Sequence, residues 1–167
     1  MAQELTKKDV EKIQAEITHR STVVRREAIE AVKVAREQGD LSENFEYYAA
    51  KRDKNKNESR IRYLEKMLKT ARIISDESKE DEVGINNTVE IYFEEDDEIE
   101  VYKLVTSIRG DSLDGRISIE SPIGKAILGH KQGDRVYVKI DNANGFYVVI
   151  KSIENTDDTE ADTIRTY

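Results

Sequence analysis

The sequence holds 167 residues with 35 Asp and Glu against 27 Lys and Arg, and its charged residues match its hydrophobic ones at 37% each. That balance is high for one compact globule and points to long solvated helices, while the length allows one domain or two small ones. There is no cysteine, which excludes disulfides and thiolate metal sites, and no stretch reads as a signal peptide or a bilayer span, so a soluble cytoplasmic protein with no membrane partner is expected.

The charge is unevenly spread. Residues 1–77 carry 17 basic and 15 acidic side chains, and residues 78–167 carry 10 and 20. Within 47–72 nine Lys and Arg face only three acids, so this stretch is either a contact for phosphates or an acidic surface, or simply a solvated helix face.

In chain order, residues 6–38 read as one helix. Thr6 is placed to cap it, Asp9 stands three later in the capping-box position, and no proline or glycine intervenes before Gly39. Val10, Ile13, Ile17, Val24, Ala28, Ala31 and Ala35 recur at spacings of three and four, which makes one apolar stripe. A helix of that length spans roughly 50 Å and needs a partner along it. The partner is the segment 43–75, whose Ile61, Leu64, Leu68 and Ala71 keep a heptad seam. Folding the two antiparallel about a turn near 41–43 sets Ile17 against Leu68 and Val24 against Ile61. Toward the turn the seam passes through Asn57, Lys54, Ala50 and Tyr47 and becomes thin and polar.

Between the helices, Gly39 sits where a helix-ending glycine belongs, and Ser42 with Asn44 can start the next helix. Asp40 and Glu43 therefore fall at the tip of a hairpin. Two carboxylates are hard oxygen ligands suited to Mg²⁺, but they do not complete its six-oxygen shell, so any ion there is shared with a partner. The plainer reading is that Asp and Ser are turn formers.

Residues 75–82 break both period and hydrophobicity and read as a linker. Beyond them the period changes to two: 88–93, 99–107, 116–120, 134–140 and 145–153 are strand candidates of a small antiparallel sheet. One short helix interrupts them, with Ser121 as cap, Pro122 at its first position and Gly129 as its stop. Residues 141–145 form a hairpin turn rather than a calcium loop, because their glycine falls at the wrong position. His19 and His130 have no ligand-spaced neighbours, and the polar stretch 154–167 reads as a disordered acidic tail. The domains expected are thus 1–77, 78–153 and the tail.

Two stretches carry a resemblance. Ala-Arg-Glu-Gln-Gly-Asp-Leu-Ser-Glu-Asn-Phe-Glu-Tyr-Tyr-Ala-Ala-Lys over 35–51 closely resembles the tip signature of the bacterial Gre transcript cleavage factors, in their GreA rather than GreB form. Arg-Ile-Ser-Ile-Glu-Ser-Pro-Ile-Gly-Lys-Ala-Ile-Leu-Gly over 116–129 is similar to that family's Ser-Pro-Ile helix, and the likeness covers about 5–153.

The resemblance implies an α+β fold: an N-terminal antiparallel α-helical coiled-coil hairpin followed by a small FKBP-like antiparallel β domain with one short helix. It further implies a monomeric, non-enzymatic factor that enters the secondary channel of bacterial RNA polymerase and stimulates cleavage of backtracked nascent RNA. Asp40 and Glu43 match the tip residues that help hold a Mg²⁺ shared with the polymerase, with no cofactor bound by the factor alone. Lys51 and Arg52 are then candidates for contact with the RNA 3′ segment, and Ser121, Pro122 and Ile123 match the polymerase-docking region. Two departures stand out: Phe45 replaces a small alanine, and the sequence past Ile153 runs beyond the usual family end. Three other readings remain: a Gre-like channel occupant that does not cleave or inhibits, an FKBP-like peptidyl-prolyl isomerase, and a coiled-coil adaptor.

Overall fold

The computed structural model describes residues 2–39, 44–159 and 161–166. They divide into two compact units, one of Met1–Gln3 with Val10–Arg72 and the other of Glu4–Asp9 with Ile73–Tyr167. The sheet unit therefore includes a short piece of the N-terminal sequence that the reading above assigns to the hairpin.

The first long helix is continuous but not uniform. After the two-residue strand β1 (Glu4–Leu5), α1 (Lys7–His19) and α2 (Arg25–Glu37) are joined by a π-helical turn over Arg20–Val24. There the Arg25 N–H donates to Arg20 O, five residues back, and Thr22 Oγ1 donates to Thr18 O at 2.7 Å. The β-branched run Thr22-Val23-Val24 and this side-chain competitor both weaken the regular ladder. The start of α1 follows the capping-box expectation: Thr6 N–H donates to Asp9 Oδ2 at 3.0 Å, and Asp9 N–H donates to Thr6 Oγ1 at 3.2 Å.

The second hairpin helix, α3 (Phe45–Thr70), begins at Asn44, whose Oδ1 accepts from the Tyr47 N–H at 2.9 Å. Its buried residues are Asn57, Arg60, Ile61, Leu64 and Met67. The hairpin register differs from the one expected. Asn57 Nδ2 donates to Arg20 O at 3.1 Å and Arg20 Nη1 donates to Asn57 Oδ1 at 3.2 Å, so Asn57 stands where the apolar seam alone would place Glu65. Glu16 completes this polar layer, accepting from Arg20 Nε at 2.7 Å and Arg60 Nε at 2.9 Å. A buried layer of paired polar groups specifies alignment more sharply than a thin apolar seam, because a slip strands charges without partners.

The two-residue strand β2 (Arg72–Ile73) follows α3 in sequence, and within the second unit Ile74 N–H donates to Leu5 O at 2.8 Å. The main sheet comprises β3 (Thr88–Phe93), β4 (Glu98–Val105), β5 (Arg116–Ser118), β6 (Arg135–Lys139) and β7 (Gly145–Glu154), in the order β5-β4-β3-β7-β6. The expectation of an antiparallel sheet needs one correction: β4 and β5 are parallel. After Val105 the chain does not turn straight back. Two 3-10 turns, Ser107–Arg109 and Ser112–Asp114, carry it around, with Gly115 at φ +72°, and it re-enters beside β4 in the same direction. The remaining pairs are antiparallel, and the register of β3 against β7 shifts between Glu90 and Ile91.

Alternate residues of these strands, Val89, Ile91, Leu104, Val136, Val138, Val148 and Ile150, bury one face of the sheet with Ile127 of α4 (Pro122–Ile127). Ser121 caps α4, accepting the Gly124 N–H on its Oγ at 3.1 Å. A Cβ on Gly124 would lie 2.0 Å from Ser118 O, so only glycine lets the helix sit this close to β5.

The sequence past β7 is the second correction. Expected as a disordered acidic tail, it is laid against the sheet unit: Asp158 and Asp162 are buried, Arg165 N–H donates to Ile108 O at 2.7 Å, and Arg116 Nη1 donates to Ala161 O at 2.9 Å. Composition alone marks such a stretch as disordered because it cannot show the buried cations that the aspartates meet.

Candidate functional site

The end of the hairpin is built by its flanks. Gln38 N–H closes on Ala35 O at 3.3 Å, and Gly39 follows at φ +128°, a conformation that side chains disfavour. On the other side Asn44 does two jobs: besides capping α3, its Nδ2 donates to Ala35 O at 2.6 Å. One carbonyl of α2 is thus held by the first residue before α3. Arg36 lies over the Tyr47 ring at 5.7 Å, and Tyr47 meets Tyr48 edge-on at 5.4 Å. The Arg36–Tyr47 contact joins the end of α2 to the start of α3, and the Tyr47–Tyr48 contact lies within α3.

Asp40 and Glu43, the carboxylates singled out in the sequence, lie outside the described residues. Lys51 and Arg52 are exposed on α3, within its first two turns. Among the described residues no group of three or more His, Asp or Glu side chains is placed to hold a metal ion. The carboxylates of Asp40 and Glu43 are, by residue type, hard oxygen donors of the kind Mg²⁺ takes, and two of them leave its six-oxygen shell incomplete.

Phe45 is 87% exposed, and Tyr48 and Val34 are also exposed nearby. A shallow groove of about 700 Å³ runs along this part of the hairpin, lined by Ala31, Val34, Ala35 and Ala50 with Glu27 and Glu46 at its sides. The expected narrowing of the seam is visible here, since Ala35 is the one buried residue of α2.

On the sheet unit, Ser121, Pro122 and Ile123 fall together at the start of α4. Pro122 is exposed, while Ser121 is half-buried by its capping role and Ile123 packs against the sheet core. Of the three, Pro122 offers the freest surface.

Two polar clusters went unread in the sequence. One is the Glu16–Arg20–Asn57–Arg60 layer of the hairpin. Burial works against ionisation of Glu16, but hydrogen bonds from Arg60 and Arg20 outweigh it and hold the carboxyl below its ordinary range. The other surrounds Arg109, fully buried in the sheet unit, whose Nε donates to Asp9 Oδ1 at 2.5 Å and whose Nη1 donates to Asn86 Oδ1 at 2.8 Å. No motif spacing announces either, because each joins residues far apart in sequence.

Comparison with known proteins agrees with the architecture. The N-terminal model of the transcription elongation factors GreA and GreB matches residues 3–73, and their C-terminal model matches residues 77–155. Transcription elongation factor GreA of Macrococcus caseolyticus is 44% identical over 149 residues, 89% of this chain and 94% of that protein. The GreA of Thermoanaerobacter pseudethanolicus is 45% identical over 137 residues, 81% of this chain and 87% of its own length. Among solved structures, Gfh1 of Thermus thermophilus aligns over 93% of this chain and all of its own at 27% identity, with a TM-score of 0.43, too low to carry the fold by itself. Both units lie within matched sequence over nearly their whole length, and the chain belongs to the GreA/GreB family of transcription elongation factors.

Proposed function

We propose that this chain is an accessory factor of a bacterial RNA polymerase that enters the secondary channel with its hairpin and stimulates the polymerase's own cleavage of backtracked RNA. The observation that carries the proposal is the match of both family models to 3–73 and 77–155, together with a hairpin end pinned by Gly39 and Asn44 around Asp40 and Glu43. The factor has no reaction of its own. Asp40 and Glu43 would help hold a Mg²⁺ shared with the polymerase, and that ion, when bound, would stabilise the negative charge that develops in phosphoryl transfer.

What this chain's residues contribute is placement. Asn44 and Gly39 shape the helix ends that flank the two carboxylates in sequence, and the Arg36–Tyr47 contact joins those ends. Lys51 and Arg52, exposed on α3, are assigned to the phosphates of the displaced RNA 3′ segment, where cations are worth most at low salt. Pro122 and its neighbours at the start of α4 are assigned to docking at the channel mouth. Activity in the cytoplasm follows from the partner.

The test is cleavage of 3′-labelled RNA in a stalled, backtracked elongation complex, comparing the unaltered chain with the Asp40→Asn/Glu43→Gln double variant at equal polymerase occupancy. The expected result is short 3′ fragments with the former and a loss of about a hundredfold in rate with the latter, without loss of binding. If the unaltered chain binds and never stimulates cleavage, it is a channel-occupying regulator and the proposal fails.

A further inference from the structure

The segment 156–166 lies beyond the region that the family models match. Its buried aspartates nonetheless meet three cations of the sheet unit, Lys103, Arg109 and Arg116, and further contacts of the segment reach Lys8, Thr88 and Asn86. Asp162 Oδ2 pairs with Lys103 Nζ and stands 3.9 Å from Arg109 Nη1, while its Oδ1 stands 4.0 Å from Arg116 Nη1. Asp158 Oδ2 stands 3.6 Å from Arg109 Nε. Backbone contacts repeat the pattern: Lys103 Nζ donates to Asp157 O at 2.5 Å, Arg116 Nη1 to Ala161 O at 2.9 Å, and Lys8 Nζ to Asp158 O at 3.3 Å. Asp162 also accepts the Thr159 N–H at 3.1 Å, which curls the segment around its own carboxylate.

The same guanidinium of Arg109 holds the other end of the sequence. Its Nε donates to Asp9 Oδ1 at 2.5 Å, and Asp9 Oδ2 accepts from Thr106 Oγ1 at 2.6 Å and from the Thr6 N–H. Arg109, Asp9 and Asp158 are all nearly inaccessible. A guanidinium fully removed from water needs carboxylates around it, and here one comes from the N-terminal capping box and two from the last residues of the chain.

We propose that the described residues 156–159 and 161–166 form a charge-latched strap, and that Arg109 is a clasp through which this strap fixes the seating of Glu4–Asp9 on the sheet unit. The strap and the capping box share one cation, so each is stabilised by the other. Neutralising Asp162 loosens the strap, removes one of the three carboxylates that offset Arg109, and transmits that loss to Asp9. A tail that merely lay on the surface would leave Asp9 untouched.

Hydrogen exchange on the full chain tests the proposal, comparing the unaltered protein with Asp162→Asn, Asp158→Asn and, as a charge-matched control, Asp157→Asn, whose side chain is exposed. In the unaltered protein the Thr159, Asp162 and Arg165 amides are protected. In Asp162→Asn these amides and the Thr6 and Asp9 amides exchange about tenfold to a hundredfold faster, while β3 and β7 keep their protection and Asp157→Asn behaves as the unaltered chain. Asp158→Asn, which loses a longer contact, shows the same pattern more weakly and decides the matter if Asp162→Asn also opens the sheet. The proposal is overturned if the strap amides of the unaltered protein exchange at the rate of an unstructured chain. It is equally overturned if Asp162→Asn and Asp158→Asn speed the strap and leave Thr6 and Asp9 unchanged.

Discussion

The two units bury charge in opposite settings. In the sheet unit the Arg109 cluster adjoins strands that already bury a continuous apolar core, so its role is to join distant segments to a body that is otherwise packed. In the hairpin, the Glu16–Arg20–Asn57–Arg60 layer sits on a seam whose buried apolar residues are few: Ile13, Ile61, Leu64 and Met67 at one end and Ala35 near the other. There the polar layer sets the alignment itself. Buried charge thus acts as a clasp where apolar packing is plentiful and as a register mark where it is scarce. A long reach and a large core compete for the same residues, which is why the hairpin takes the second course.

The comparison breaks most visibly at Asp9. Asp9→Asn leaves Arg109 buried and short of a carboxylate, and the sheet unit is expected to lose about 3–5 kcal/mol in denaturant unfolding. A loss under about 1 kcal/mol would mean that the cluster is not the clasp described.

Glu16→Gln is expected to cost less, about 1–3 kcal/mol, because Glu16 is 23% exposed even though its partner Arg60 is 3% exposed. Its pH dependence sharpens the contrast. A carboxyl held below its ordinary value of 4.5 contributes stability that is present above that value and is lost as pH falls through the lowered one. Asp162 behaves alike from 3.8 downward: burial opposes its ionisation, and the Lys103 and Thr159 hydrogen bonds with the nearby cations outweigh it. Acid titration followed by hydrogen exchange should therefore loosen both the hairpin layer and the strap as pH falls below these ordinary values, and Glu16→Gln should remove the hairpin step alone.

The smallest effect belongs to Arg25 and Glu58, a bidentate pair at 2.7 and 3.0 Å whose side chains are 38% and 28% exposed. Arg25→Ala is expected to change hairpin stability by about 0.2–1 kcal/mol, diminishing with added salt. A larger, salt-independent loss would place this pair with the buried layer and blur the distinction drawn above.

Much of this molecule was legible in its sequence, for reasons that are local. The capping box of Thr6 and Asp9, the Asn44 cap, the Ser121-Pro122 helix start and the strand β3 over Thr88–Phe93 each depend on residues within a few positions of one another. The tip signature at 35–51 was equally plain, although its carboxylates Asp40 and Glu43 fall outside the described residues. Tertiary structure alone decided the hairpin register, the parallel pairing of β4 with β5, and the fate of residues 154–166. Each of these turns on a partner far away in sequence: Arg20 with Asn57, Lys103 with Arg116, Arg109 with Asp9 and Asp162. Periodicity shows which face of an element is apolar, but an acidic stretch reads as solvated until the fold brings a buried cation to meet it.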